Sequence, residues 1–75
     1  VENEVSVRVR TAGGGEVDGW PRAFLLRGIE HEIVDIEDRW YGSDVAYFRV
    51  FADDAHRYIL KREKAEGDWW CTKVG

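Results

Sequence analysis

Several groups of residues in this 75-residue chain are of types that do chemistry. The first combines rings and cations: Arg39-Trp40-Tyr41, then Tyr47, with Trp20 and Arg22 earlier in the chain. An outward ring beside a guanidinium can stack on a base, a sugar or a proline-rich peptide and add a cation–π contact. Trp40 has a competing and favoured role, because a large ring at a strand end can plug a small barrel. Tyr41 and Tyr47 are expected to face outward. Trp20, in a loop, is expected to be at least half exposed and is the best single contact residue, although it can equally act as a lid on the core.

A second group, Arg8, Arg10, Arg22 and Arg27, falls on the first two predicted strands. Together these could form an anion-binding face beside Trp20. The favoured reading is a solvated face matched by carboxylates on neighbouring strands, since opposite charges commonly pair across a sheet. Glu30, Glu32, Asp35, Glu37 and Asp38 form an acidic segment. Two carboxylates in a pocket can do acid–base work or hold a cation, but nothing in the sequence forces a pocket here. Asp53, Asp54 and His56 share a predicted hairpin; Asp and His together can hold a metal or act as a general base, but Asp-Asp in a turn needs no further role. His31 is expected to look across a strand toward the neighbours of Glu32. No nucleophile with a base and an orienting group is visible, so no catalytic residue is assigned and no enzyme activity is expected. Gly13-Gly14-Gly15 lacks the following helix and Lys-Ser/Thr of a phosphate-cradling loop, so it reads as a plain loop.

No metal or other cofactor is expected. The chain has no C-x-x-C, and His31 and His56 lie far apart in sequence. Its one cysteine, Cys71, rules out an internal disulfide and reads as a buried, inert thiol. Apolar packing must therefore hold the fold. The composition allows it, with 44% hydrophobic residues including four Trp, three Tyr and three Phe. A net charge of −4 argues against a general grip on nucleic acid. No apolar run approaches membrane-helix length and no signal-peptide pattern opens the chain, so a cytoplasmic protein is expected.

The elements that must position these groups read as six short strands in one domain over residues 1–75. Residues 1–4 should fray, and Val5, Val7 and Val9 alternate with polar residues as a half-buried first strand. Residues 11–20 form a flexible Gly-rich loop. The second strand starts at Trp20-Pro21 and ends in a hairpin turn over Arg27 to Glu30, with Gly28 taking the awkward backbone angle. The third strand, His31 to Trp40, does not alternate cleanly: Ile33, Val34 and Ile36 cannot share a face. A bulge near Val34, or cover on both faces, is required. After a turn over Tyr41 to Asp44, the fourth strand (Val45 to Phe51) should turn Phe48 and Val50 inward and Tyr47 and Arg49 outward. The hairpin loop Ala52 to Ala55 leads to a fifth strand (His56 to Arg62) with Tyr58 and Leu60 inward. A polar loop around Gly67 precedes the sixth, Trp69 to Val74. A short helical turn over Lys61 to Glu66 is the only helical alternative of note. The fold predicted is all-β: a small antiparallel meander of five to six strands closing into an SH3-like barrel or strongly curled sheet.

Pro21-x-x-Phe24, Asp38-Arg39-Trp40-Tyr41-Gly42, Tyr47-Phe48-Arg49-Val50, Tyr58-Ile59-Leu60 and Trp69 together span about two-thirds of the chain. In this pattern the chain resembles a group of small uncharacterised bacterial proteins. The resemblance implies a compact β domain and no assigned activity. Trp69-Trp70-Cys71 departs from the pattern, which would have one Trp and an aliphatic residue there, and so leaves open which ring points inward. The function expected is a non-enzymatic binding module for a protein partner. The alternatives are single-stranded nucleic-acid binding through the Arg and aromatic face, or a self-associating structural protein, with a homodimer as its form.

Overall fold

The computed structural model describes residues 4–11 and 20–74, and in it the alternating pattern gives six antiparallel strands. They are β1 (Val5–Thr11), β2 (Pro21–Leu26), β3 (Ile29–Tyr41), β4 (Val45–Ala52), β5 (Arg57–Glu63) and β6 (Trp69–Val74). Each pairs with its neighbour in sequence, and β1 also pairs with β6, so the meander closes into a barrel. Closure matters in a chain this small, because a free strand edge would offer a template for aggregation. No helix occurs among the described residues, and Lys61 to Glu63 belong to β5 rather than to a helical turn. Most of the frayed start and of the Gly-rich loop expected from sequence lies outside the described residues. Within them, Glu4 is engaged with Lys61 at 3.1 Å, and Thr11 belongs to β1.

The barrel interior is built in register rows. One row runs through Phe48, Leu60, Cys71 and Val5 on β4, β5, β6 and β1, with the exposed Arg39 of β3 at its end, and another through Ile36, Val50 and Tyr58. Phe24, Leu60 and Val50 are fully covered. Burying side chains of this size contributes about 1.5–3 kcal/mol each, which is how a domain with no cross-link holds together. Val7, Phe48 and Tyr58 face inward as the sequence predicts, and Val9 packs partly against the same core.

β3 is long because it serves two partners. Residues 29–32 pair with β2 and residues 33–41 with β4. Two register shifts interrupt the second part: Val34 and Glu37 each stand as an extra residue against β4. The first bulge is the one the broken alternation requires. It lets Ile33 and Ile36 both face the core, opposite Ala52 and Val50, while Val34 is thrown out to 63% exposure.

The β2–β3 turn is tighter than expected. Only Arg27 and Gly28 lie in it, with φ of 52° and 81°, and Ile29 already belongs to β3. Two positive φ angles in sequence suit a two-residue hairpin, because such a turn matches the twist of its strands. Strand ends differ from expectation by a residue or two elsewhere: β3 extends to Tyr41, and β5 begins at Arg57 and takes in Glu63.

Candidate functional site

The end of β3 carries rings on both of its faces. Trp40 lies opposite Tyr47 on the outer surface, and the two rings stack with centroids 5.3 Å apart and planes 14° from parallel. Trp40 is 41% exposed, so it does not plug the barrel. The reason is register: the second bulge puts Arg39, not Trp40, in the row of Phe48. Trp20 takes the closing role instead. Its ring meets Phe48 edge-on at 6.0 Å, and the Arg39 guanidinium lies 4.3 Å above its face. Trp20 is thus both lid and surface, at 42% exposure a little short of the half expected. Tyr41 is more exposed still and has the Lys64 ammonium 5.7 Å from its ring.

The arrangement brings Trp20, Arg39, Trp40, Tyr41 and Tyr47 to one end of β3 and its immediate neighbours. The remaining candidates do not join them as a single basic face. Arg10 reaches across β2 to Glu30 at 2.8 Å and Glu32 at 3.6 Å, the carboxylate-matched reading of this surface. Arg8 sits opposite Leu25 on the outer side, and Arg22 is an extra residue at a register shift between β1 and β2. Arg27 is in the turn at the opposite end of β2. The acidic segment is likewise spread and paired. Glu37 accepts both bonds from the Arg57 guanidine nitrogen at 2.9 and 3.0 Å and lies 3.6 Å from Arg49. Glu30 and Glu32 are open to solvent, so no enclosed carboxylate pocket forms there.

Sequence reasoning missed a second cluster, because its members are distant in the chain. His31 on β3 approaches Asp53 and Asp54 of the β4–β5 hairpin, where sequence proximity suggested His56. Its ring stacks on Phe24 with centroids 5.3 Å apart. The Tyr58 hydroxyl donates to Asp54 Oδ2 at 2.6 Å, and the His56 amide donates to Asp54 Oδ1 at 3.1 Å. Burial pushes the Asp54 carboxyl up, but the Tyr58 bond, the His56 amide and both imidazoles outweigh it and hold the group below its usual range. Burial, followed by the bond to Asp54, pushes the Tyr58 phenol well above its ordinary value. The signal that could have found this cluster is the β2–β3–β4 register, which only the bulged path of β3 defines.

Trp69 is the inward ring of the tandem pair, 8% exposed against Phe48, while Trp70 lies on the outer side opposite Lys61 and Ser6. The Trp70 indole nitrogen is covered and has no hydrogen-bond acceptor. Arg62, to which the sequence gives no role, is buried with its guanidinium 6.0 Å from the Trp69 ring. Cys71 is buried as expected, and burial pushes its thiol up to about 12. Among the described residues, no helix is long and apolar enough to cross a membrane. The chain matches no protein-family model, and no curated protein or solved structure is significantly similar to it.

Proposed function

We propose that the barrel is a non-enzymatic binding module that takes an extended, proline-rich segment of a protein partner on the aromatic ridge at the end of β3. The observation that carries this reading is the Trp40–Tyr47 stack, an exposed Trp ring held parallel to a half-buried Tyr ring on a barrel wall. Rings held rigid before binding lose little conformational freedom when a ligand docks, and their flat faces suit proline rings in an extended segment. Trp20 and Tyr41, each with a cation over or near the ring, extend the ridge on its other side. The net charge of −4 supports a protein rather than a polyanion as partner. The groups best suited to acid–base chemistry on the acidic segment are solvated and paired with arginines, which supports a non-enzymatic role. A single buried, unpaired cysteine is consistent with the reducing cytoplasm.

Amide and indole NMR shifts of the protein, recorded against decaproline and separately against oligothymidine, test this. The expected result is perturbation by decaproline of the Trp40 indole together with Tyr41 and Tyr47. Shifts produced by oligothymidine alone, centred on Arg8, Arg22 and Arg39 and weakening with salt, would assign the ridge to single-stranded nucleic acid and overturn the proposal. Shifts that change only with protein dilution would overturn it in favour of self-association.

A further inference from the structure

We infer that His31, Asp53 and Asp54 form a binding site for one divalent transition-metal ion of the zinc class, at the opposite end of the barrel from the aromatic ridge. The three side chains each offer one ligand atom, and these atoms all lie within 4.8 Å of one another. His31 Nδ1 is 3.6 Å from Asp53 Oδ1 and 3.5 Å from Asp54 Oδ2. Both separations exceed the span of an ordinary N–H···O bond, about 2.7–3.2 Å. They match the spacing between ligand atoms around a tetrahedral ion: bonds of about 2.0–2.2 Å place neighbouring donors about 3.3–3.6 Å apart.

The fold holds this geometry in place by contacts on every side. The Asp53 amide donates to the Glu32 carbonyl at 2.9 Å, which ties the hairpin to β3 beside His31. Within the hairpin, the Ala52 amide donates to the His56 carbonyl and the Ala55 amide to the Ala52 carbonyl. Phe24 fixes the imidazole plane, and the Tyr58 hydroxyl fixes the Asp54 carboxylate. Tyr58 donates to Asp54 Oδ2, the oxygen that also faces His31, and the His56 amide donates to Oδ1. Hydrogen bonds to a ligating carboxylate are the usual outer support of a metal site. One imidazole and two carboxylates neutralise a dication. The nitrogen donor favours zinc, cobalt or nickel over magnesium and calcium, which prefer all-oxygen sites. The Asp53 side chain is 46% exposed, so an ion can enter from solvent and keep water in its fourth position.

Cobalt(II), a coloured stand-in for zinc, tests the site on the untagged protein. The expected result is a visible absorption that saturates at one equivalent, is displaced by zinc, and is not displaced by magnesium. Asp53→Asn should weaken cobalt binding at least about tenfold, and His31→Gln should abolish it. His56→Gln should leave it unchanged. Because His31→Gln disturbs the contact with Phe24, Asp53→Asn is the deciding variant, with its fold checked by urea unfolding. Zinc should also raise the Tm of the parent protein and not that of Asp53→Asn. Glu63, Glu66 and Asp68 form a second carboxylate group on the β5–β6 loop. A cobalt signal that survives Asp53→Asn but is lost in Glu66→Gln would place the ion there and overturn the inference. The absence of any saturable signal would overturn it equally, leaving His31 as a plain partner of two aspartates.

Discussion

Cys71 illustrates how one residue's environment sets its chemistry. It lies between Leu60 and Val5 in an inner row, 1% exposed, and burial raises its thiol to about 12. Because the folded value lies above the unfolded one, about 8.5, the thiol's contribution to stability is full below that pH and is lost as pH rises toward the folded value. We therefore expect no reaction with a disulfide reagent at about pH 8 until the chain unfolds. The loss of urea-unfolding free energy between about pH 8 and pH 10.5 should be smaller in Cys71→Ala than in the parent. A native thiol that reacts at once would contradict the burial. This residue was legible from sequence, since a cysteine between large residues in an alternating strand has few other places to go. Trp40 was not. Its side depends on one extra residue at Glu37, and a one-residue change of register moves every later side chain to the other face.

At the scale of elements, β3 decides where everything else goes. Its bulge at Val34 was legible as a conflict: three aliphatic residues that strict alternation cannot accommodate. The bulge at Glu37 left no such trace, because the residues around it are polar and suit either face. The first bulge makes a distinctive prediction. Ile33→Ala and Ile36→Ala should each cost about 1–3 kcal/mol, while Val34→Ala should stay within about 0.5 kcal/mol, read from urea midpoints. A costly Val34→Ala with a neutral Ile36→Ala would reverse the register. The His31 cluster belongs to this scale too. Strand positions were readable one at a time, but the meeting of β3 with the β4–β5 hairpin needs the bulged path between them. Strand count, order and hairpin connections were readable because turn residues such as Arg27-Gly28 and Asp53-Asp54 punctuate the pattern locally.

For the whole molecule, small size imposes a division of labour among rings. A 75-residue domain has about 4–11 kcal/mol of stability in total, so it depends on each fully covered side chain. Phe24, Phe48, Tyr58 and Trp69 go inside, and closure through β1 and β6 seals them there. Trp20 bridges inside and outside, with its edge on Phe48 and its face under Arg39. Trp40 and Tyr47 stand on the outer wall, only partly covered, and their mutual stacking adds about 0.5–1.5 kcal/mol beyond that burial. Under the proposed function, the outer pair serves binding more than folding. Trp40→Ala, measured for urea stability and for decaproline-induced NMR shifts together, tests this most directly. We predict a variant that stays folded, losing no more than about 3 kcal/mol, with the shifts at Tyr41 and Tyr47 abolished. A variant that unfolds or loses several kcal/mol, or one that binds decaproline as the parent does, would contradict it.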